Sequence, residues 1–492
     1  MRKAYAELQS EGKMSATMNI EATHLYVRFL PKDTVELEKL YNDTTLRLFP
    51  FPLDCELTEG TVYKDPTLKG SQFTWLYTRV PVGYSPYISG YEVIDELYLP
   101  TPEYNDGEII HKIQGSQSQF LADWEQLENM SLKLTGNDDY IVSDNTLQNS
   151  DESVTQKAAW YPRAVIRVYD DYTGSYLPVP GALVVARYWF SWQYAVTNEE
   201  GVATISKKRK KVDWFLEWQS DCWAIRDGLF WLAVYNGGMG WTSDWHLDIN
   251  DHLSKAYAHI NQACYTMFWG NNLGSTNRDN NWKFKGTHKI KIYVHDLKNK
   301  TPGHNNPFTF ESTIFSQIAM YLKDEHNNYR PSQDIFATAI HELAHSFHTV
   351  DMDLEVISDI FVSPMITESW ARAVECLVTN YTYKKLGENL NYRSNEQWWA
   401  INKRNQKVAE GYSKNYTPIF IDLVDDYNQY SQEDDKEYPN DNVTGFSLSE
   451  LRGILRITFN LKDLKRNVKA LRNSTTIHSN IDKLFETYEK AK

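Results

Sequence analysis

Residues 341–350 read HELAHSFHTV, inside the helical run PSQDIFATAIHELAHSFH (331–348), and what His341 and His345 do decides how the rest of the chain is organised. In an α-helix, residues four apart project from nearly one side, offset by about 40° and one turn in height. Both imidazoles can therefore aim one nitrogen at a single ion about 2 Å away. Glu342 sits one position round, close enough to reach a water on that ion without binding the ion itself. Ser332 is placed to cap this helix. His348 stands about 10.5 Å along the axis from His341, out of reach of a shared ion, and reads either as a group just outside the ligand set or as the helix end. Two downstream carboxylates remain as a third ligand, Asp351 and Glu368. Glu368 lies on a second helical stretch, PMITESWARAVECLVTNYTYKKLG (364–387), which Ser363 can cap, Pro364 can start and Gly387 can stop.

The pair is the HExxH arrangement of metalloproteases, and the chain resembles zincins on two patterns. HELAHSFHTVD resembles the metzincin motif in the form that ends in aspartate, which implies Asp351 as third ligand. His348 stands where that motif needs a glycine to turn the backbone, and Ser363–Met365 resembles its Met-turn. ITESWARAVE (366–375) resembles the gluzincin signature, in which a glutamate on the following helix completes the site. Glu368, Trp370, Ala371 and Glu375 match it, and Ser369 replaces a glycine; Glu375 reads as the more solvated of the two glutamates. The gluzincin reading leads and the metzincin reading is the alternative. The gluzincin resemblance spans residues 245–390. It implies a small twisted sheet packed on the HELAH helix, a cleft against a helical C-terminal half, and Zn2+ held by His341, His345 and Glu368. It further implies Glu342 as general base and an endopeptidase acting on protein or peptide substrates. Such sites use a Tyr or His to stabilise the transition state, for which Tyr381 and Tyr383 are nearest in sequence. The strand QIAMYLKD (317–324) is the expected edge for an extended peptide.

Upstream, HLYVRFLP (24–31), TLRLFPFPL (45–53) and FTWLYTRVPV (73–82) read as strands and DTVELEKLYND (33–43) as a short helix. They make a small α+β domain over 21–155, after a polar tail at 1–20. From Tyr161, short alternating strands with glycines at 174, 181 and 201 indicate an antiparallel β-sandwich over 156–240. Its PVPGA and TNEEG turns resemble those of the carboxypeptidase-regulatory-like or transthyretin-like module, and the resemblance implies an accessory role without catalysis. The tryptophan-rich run at 213–241 reads as buried strands at a domain joint and not as a sugar platform, because its apolar residues interleave. DHLSKAYAHINQACYTMFW (251–269) reads as a helix and KIKIYVHD (289–296) as a strand. The expected fold is thus multidomain α+β, closing with a zincin-like domain over 241–492 that joins a mixed sheet to a helical half.

A chain of 492 residues is long enough for two to four such domains. Its formal charge of -14 argues against nucleic-acid partners, which need a basic face. The one dense basic run, Lys207, Lys208, Arg209, Lys210 and Lys211, reads as a solvated hairpin tip. Cys55, Cys222, Cys264 and Cys376 are too scattered for a zinc ribbon or a disulfide framework. No apolar run reaches the roughly 18 residues of a membrane span. The opening residues lack a signal-like apolar core, which fits either a cytosolic beginning or a mature chain whose signal has been trimmed; a secreted or bacterial cell-surface protein is the expectation and a cytoplasmic one the other reading. The competing function is a surface binding or adhesion protein with a degenerate zincin domain; intact His341, Glu342 and His345 favour the enzyme.

Overall fold

Asp213–Glu217 reads DWFLE, and all of its residues are buried. Side chains alternate across a strand, so one that is apolar at successive positions must be covered on both faces. The computed structural model describes residues 1–14, 20–43, 45–60, 63–68, 71–99, 116–137, 141, 160–188, 190–206, 209–228, 230–270, 289–305, 316–351, 362–387, 416–432 and 436–490. They form a mixed α+β structure with several antiparallel sheets. Asp213–Glu217 lies inside a four-stranded sheet with Val234–Asn236 on one side and Leu183–Tyr188, then Ser191–Val196, on the other. Trp214 on one face stacks on Trp245 of a second sheet, ring centroids 5.9 Å apart. Phe215 on the other face stacks on Phe51 of the N-terminal unit at 5.2 Å. The second sheet is built on Arg163–Asp170, which pairs with Ser175–Pro178, Val202–Thr204 and Trp245–Ile249. The last pairing is parallel, so the sandwich is not antiparallel throughout. Trp214, Trp218 and Trp223 are wholly buried, as the core reading of the tryptophan-rich run expects.

The N-terminal unit is a three-stranded antiparallel sheet, with His24–Phe29 between Leu76–Pro81 and Tyr91–Leu97. It carries helix Thr34–Asn42, whose cap Asp33 accepts from Glu36 N–H. Residues 45–53 do not form the expected strand: only an isolated bridge joins Phe49 to Tyr77. Pro50 and Pro52 have no N–H with which to extend a ladder. Residues 1–20 are not simply a tail either. Helix Arg2–Ser10 buries Ala4 and Leu8, four residues apart, in a cluster with Trp124 and Leu127 of helix Ser116–Leu134. Most of the polar stretch 134–156, together with Lys207 and Lys208, lies outside the described residues.

The sheet beneath the HELAH helix has five strands in the order Trp231–Leu232, Trp223–Asp227, Ile290–Lys298, Ile318–Lys323, Gly303–Asn305. The inner three run parallel and the two outer ones antiparallel. The expected boundary at 240/241 is crossed in both directions. Trp223–Asp227 is given to this sheet from before it, and Trp245–Ile249 to the sandwich from after it. One apolar core accordingly runs from Ala164 to Tyr488. The strand at 317–324 is not the edge: Gly303–Asn305 pairs outside it. Helix His252–Trp269, capped by Asp251, belongs to the same core. The described C-terminal part is mainly helical, including Leu448–Leu455, Leu461–Ala470 and Thr475–Lys490. No described helix is long and apolar enough to cross a membrane.

Candidate metal centre

The HELAH helix, Ser332–Asp351, buries Ile340, Leu343, Ala344 and Phe347 in the core, together with Glu342, Ser346 and His348. Between Ile340 and His348 only His341 and His345 are not fully buried, so the four-residue spacing opens one seam and both imidazoles lie in it. The start of the helix is held from the sandwich. Ser332 Oγ donates to Asp170 Oδ2 at 3.0 Å and accepts from Asp171 N–H at 2.6 Å, while Ser332 N–H donates to Asp171 Oδ2 at 2.9 Å. Ser332 is thus the first helical residue, tied to another module, and not the expected cap. Tyr383, on helix Pro364–Lys385, donates to the same Asp170 oxygen at 2.7 Å. One buried carboxylate therefore joins both helices that build the centre.

Nε2 of His341 and Nε2 of His345 lie 3.2 Å apart. Each is 3.5 Å from an oxygen of Glu368. Ligands about 2.0–2.1 Å from a tetrahedral ion stand about 3.3 Å from one another, so the three groups outline one face of such a tetrahedron. Among the described residues, these three alone bring His, Cys, Asp or Glu ligand atoms within 4.8 Å of one another. The donor set of two imidazoles and a carboxylate fits zinc. Burial pushes the Glu368 carboxyl up, but hydrogen bonds from His341 and His345 outweigh it and hold it well below the usual range. Burial alone would lower His341; Glu368 and Glu375 reverse this and raise it to about 9. His345 stays lowered, by burial first and by the nearby His341 charge. Two imidazoles this close cannot both carry protons on the facing nitrogens, whereas one cation could accept both lone pairs.

No family model matches the chain, and no curated protein or solved structure matches it either.

His341 Nδ1 meets Glu375 Oε2 at 3.0 Å. With Nδ1–H donating to this carboxylate, the Nε2 lone pair is left facing His345 and Glu368. Arg372 Nη1 donates to both Glu375 oxygens, at 2.7 and 2.6 Å. The expected exposures are reversed: Glu375 is 5% exposed, while the Glu368 side chain is 44% exposed. Seven residues make nearly two turns, so both glutamates lie on the face that meets the HELAH helix. That spacing, with Arg372 between them, was the signal for Glu375 in the sequence. Ser369, in place of the glycine, accepts from Thr417 N–H at 2.8 Å and fastens that segment beside Glu368.

Glu342 is buried against the edge strand. A Cβ added at Gly303 would stand 2.6 Å from Glu342 Oε1 and 2.8 Å from Thr338 Cγ2, so the strand approaches this closely only because residue 303 is glycine. Asn305 Nδ2 donates to the Glu342 carbonyl at 3.1 Å and to Ser346 Oγ at 2.6 Å. Burial pushes the Glu342 carboxyl up to about 7; His341 opposes this, and Glu368 and Glu375 add to it.

Two other expectations are not met. Asp351 makes a two-pronged ion pair with Arg452, at 2.6 and 2.9 Å, and the helix runs on to it without the turn the metzincin motif needs. Tyr383 sits at Asp170, beside a residue nine positions or about 13 Å from His341 along the HELAH helix. Tyr381 is 51% exposed, about 20 Å along its helix from Glu368. Neither tyrosine lies at the centre. His348 lies in the last turn of the helix, as expected, but it is buried: its Nε2 has no hydrogen-bond partner among the described residues, and burial lowers its pKa to about 4.

Proposed function

We propose that this protein is a zinc-dependent metallopeptidase of gluzincin type, with His341, His345 and Glu368 as ligands and Glu342 as general base. The observation that carries the reading is the convergence of the two Nε2 atoms and the Glu368 carboxylate at 3.2 to 3.5 Å, with Glu342 beside them on the same helix. A zinc ion held there supplies Lewis-acid polarisation of a peptide carbonyl and makes an attacking water more acidic. Glu342, buried on the same helix one residue from His341, would take a proton from that water and pass it to the leaving amine. Glu375 holds His341 in the tautomer that offers Nε2, and Arg372 keeps Glu375 charged and in place. Gly303–Asn305, the antiparallel edge strand against the Glu342 turn, is the surface on which an extended peptide would add. As finer fold descriptions, the five-stranded sheet with its two helices is the zincin-like part, and residues around 160–249 are the transthyretin-like sandwich. Secretion or surface display belongs to the same proposal.

The Asp351 alternative has no geometric support, since Arg452 occupies that carboxylate. A degenerate adhesion module is disfavoured because ligands and base are all intact. The test is equilibrium zinc affinity of the folded variants Glu368→Ala and Asp351→Ala. Loss of Glu368 leaves two protein ligands and should empty the site under mild chelation, while Asp351→Ala should keep one zinc per chain. The opposite order would replace this reading with the metzincin one.

A further inference from the structure

Helix Pro364–Lys385 carries, on the face that bears Glu368, Arg372 one turn later. Glu375 Oε2 lies 2.6 Å from Arg372 Nη1 and 3.0 Å from His341 Nδ1, so a single oxygen separates the guanidinium from a ligand imidazole. The Arg372 charge acts on His341, Glu342 and His345 alike and is itself held by Glu368 and Glu375. Only Nη1 is committed. Nε and Nη2 have no hydrogen bond to the described residues, and the side chain is 31% exposed. A guanidinium has five N–H donors in a planar fork that suits a carboxylate. Glu375 takes Nη1 alone, and among the described residues nothing accepts from Nε or Nη2.

We propose that Arg372 recognises a carboxylate of the substrate lying one or two residues from the scissile bond. The proposal rests on the peptidase reading and names the substrate class within it. Successive Cα atoms are about 3.8 Å apart, so a peptide whose carbonyl sits at the centre brings such a carboxylate to a cation one bridging oxygen away from the ligand imidazole. Two sources offer that chemistry: a free C-terminus, which makes the enzyme act at chain ends or on short peptides, and an Asp or Glu side chain within a longer chain.

The experiment uses the zinc-loaded full chain and three matched peptides: a C-terminal acid, its C-terminal amide, and the amide with Glu next to the cleaved bond. kcat/KM is measured for wild type and Arg372→Met, and Kd for the same peptides on Glu342→Gln and on Glu342→Gln combined with Arg372→Met. A charge-assisted hydrogen bond corresponds to roughly 10- to 100-fold. Wild type should prefer at least one carboxylate-bearing peptide over the plain amide by that factor, and which one reveals the source. Arg372→Met should bring the peptides to within about 3-fold of one another, whatever it does to their common rate, and Arg372→Lys should restore part of the preference. Equal kcat/KM for all three peptides on wild type overturns the proposal. So does a preference that survives Arg372→Met, or an equal loss for every peptide, which would mark Arg372 as only a support for Glu375. If nothing is hydrolysed but Glu342→Gln binds the carboxylate peptide more tightly through Arg372, the peptidase reading falls and the carboxylate site stands. Absence of both cleavage and preferential binding refutes the two together.

Discussion

Replacing Glu375 by Gln keeps the shape of the side chain and removes its charge. The carboxylate is buried, accepts from His341 Nδ1 at 3.0 Å and holds Arg372 through both oxygens. In the variant the amide oxygen can still accept from Nδ1–H, but its NH2 group faces the guanidinium, donor against donor. A hydrogen bond to a charged partner contributes about 1.5–3 kcal/mol. Loss of an outer carboxylate on a ligand histidine typically lowers metal affinity about 10- to 100-fold, or about 1.4–2.8 kcal/mol. The two ranges coincide, so zinc affinity should fall by roughly 10- to 100-fold, less than for Glu368→Ala. Competition against a chelator of known affinity at neutral pH measures it, with circular dichroism to show that the variant is folded. A folded Glu375→Gln protein within about 2-fold of wild type would refute the role given to this residue.

Gly303→Ala should fold and keep its zinc but lose at least about 10-fold in kcat/KM, because the new methyl displaces the Glu342 carboxylate from 2.6 Å away; unchanged hydrolysis would separate the edge strand from the base. His348 should make the metal-free protein acid-sensitive. Its folded pKa of about 4 lies below the roughly 6.5 of an unfolded histidine, so the unfolded chain takes up the proton first and stability falls as pH drops from about 6.5 to about 4, then levels. That share is about 3 kcal/mol, and urea unfolding of His348→Phe with chelator present should lack it; identical pH slopes for the two proteins would contradict the assignment.

The convergence of His341 and His345 was legible because a helix turns a spacing of four into one face, and that of Glu368 because a second helix packs its own face against the first. The strand beside Glu342 was not. Gly303, His304 and Asn305 are too few for a period, and Gly303 matters through an approach that only coordinates display. Glu375 matched the gluzincin pattern but read as the more solvated glutamate, whereas the fold buries it between Arg372 and His341. Tyr381 and Tyr383 followed from nearness in sequence, which a helix carries away from the site at about 1.5 Å per residue. The boundary at residue 240 could not be seen in composition: Trp223–Asp227 and Trp245–Ile249 are similarly rich in apolar residues, and each pairs on the far side of it. The sheet that carries Asp170 is likewise tied to both helices of the candidate centre, through Ser332 and Tyr383.

The most direct test of the central claim is hydrolysis of an unfolded protein such as casein by zinc-loaded wild type and zinc-loaded Glu342→Gln, side by side, with zinc counted in both. Glu342 works on the water and is not a ligand, so both proteins should hold one zinc per chain. Wild type should hydrolyse casein in a chelator-sensitive way, and the variant should be slower by at least about 100-fold. Equal rates in the two proteins, or a wild type that holds no zinc, would contradict the account.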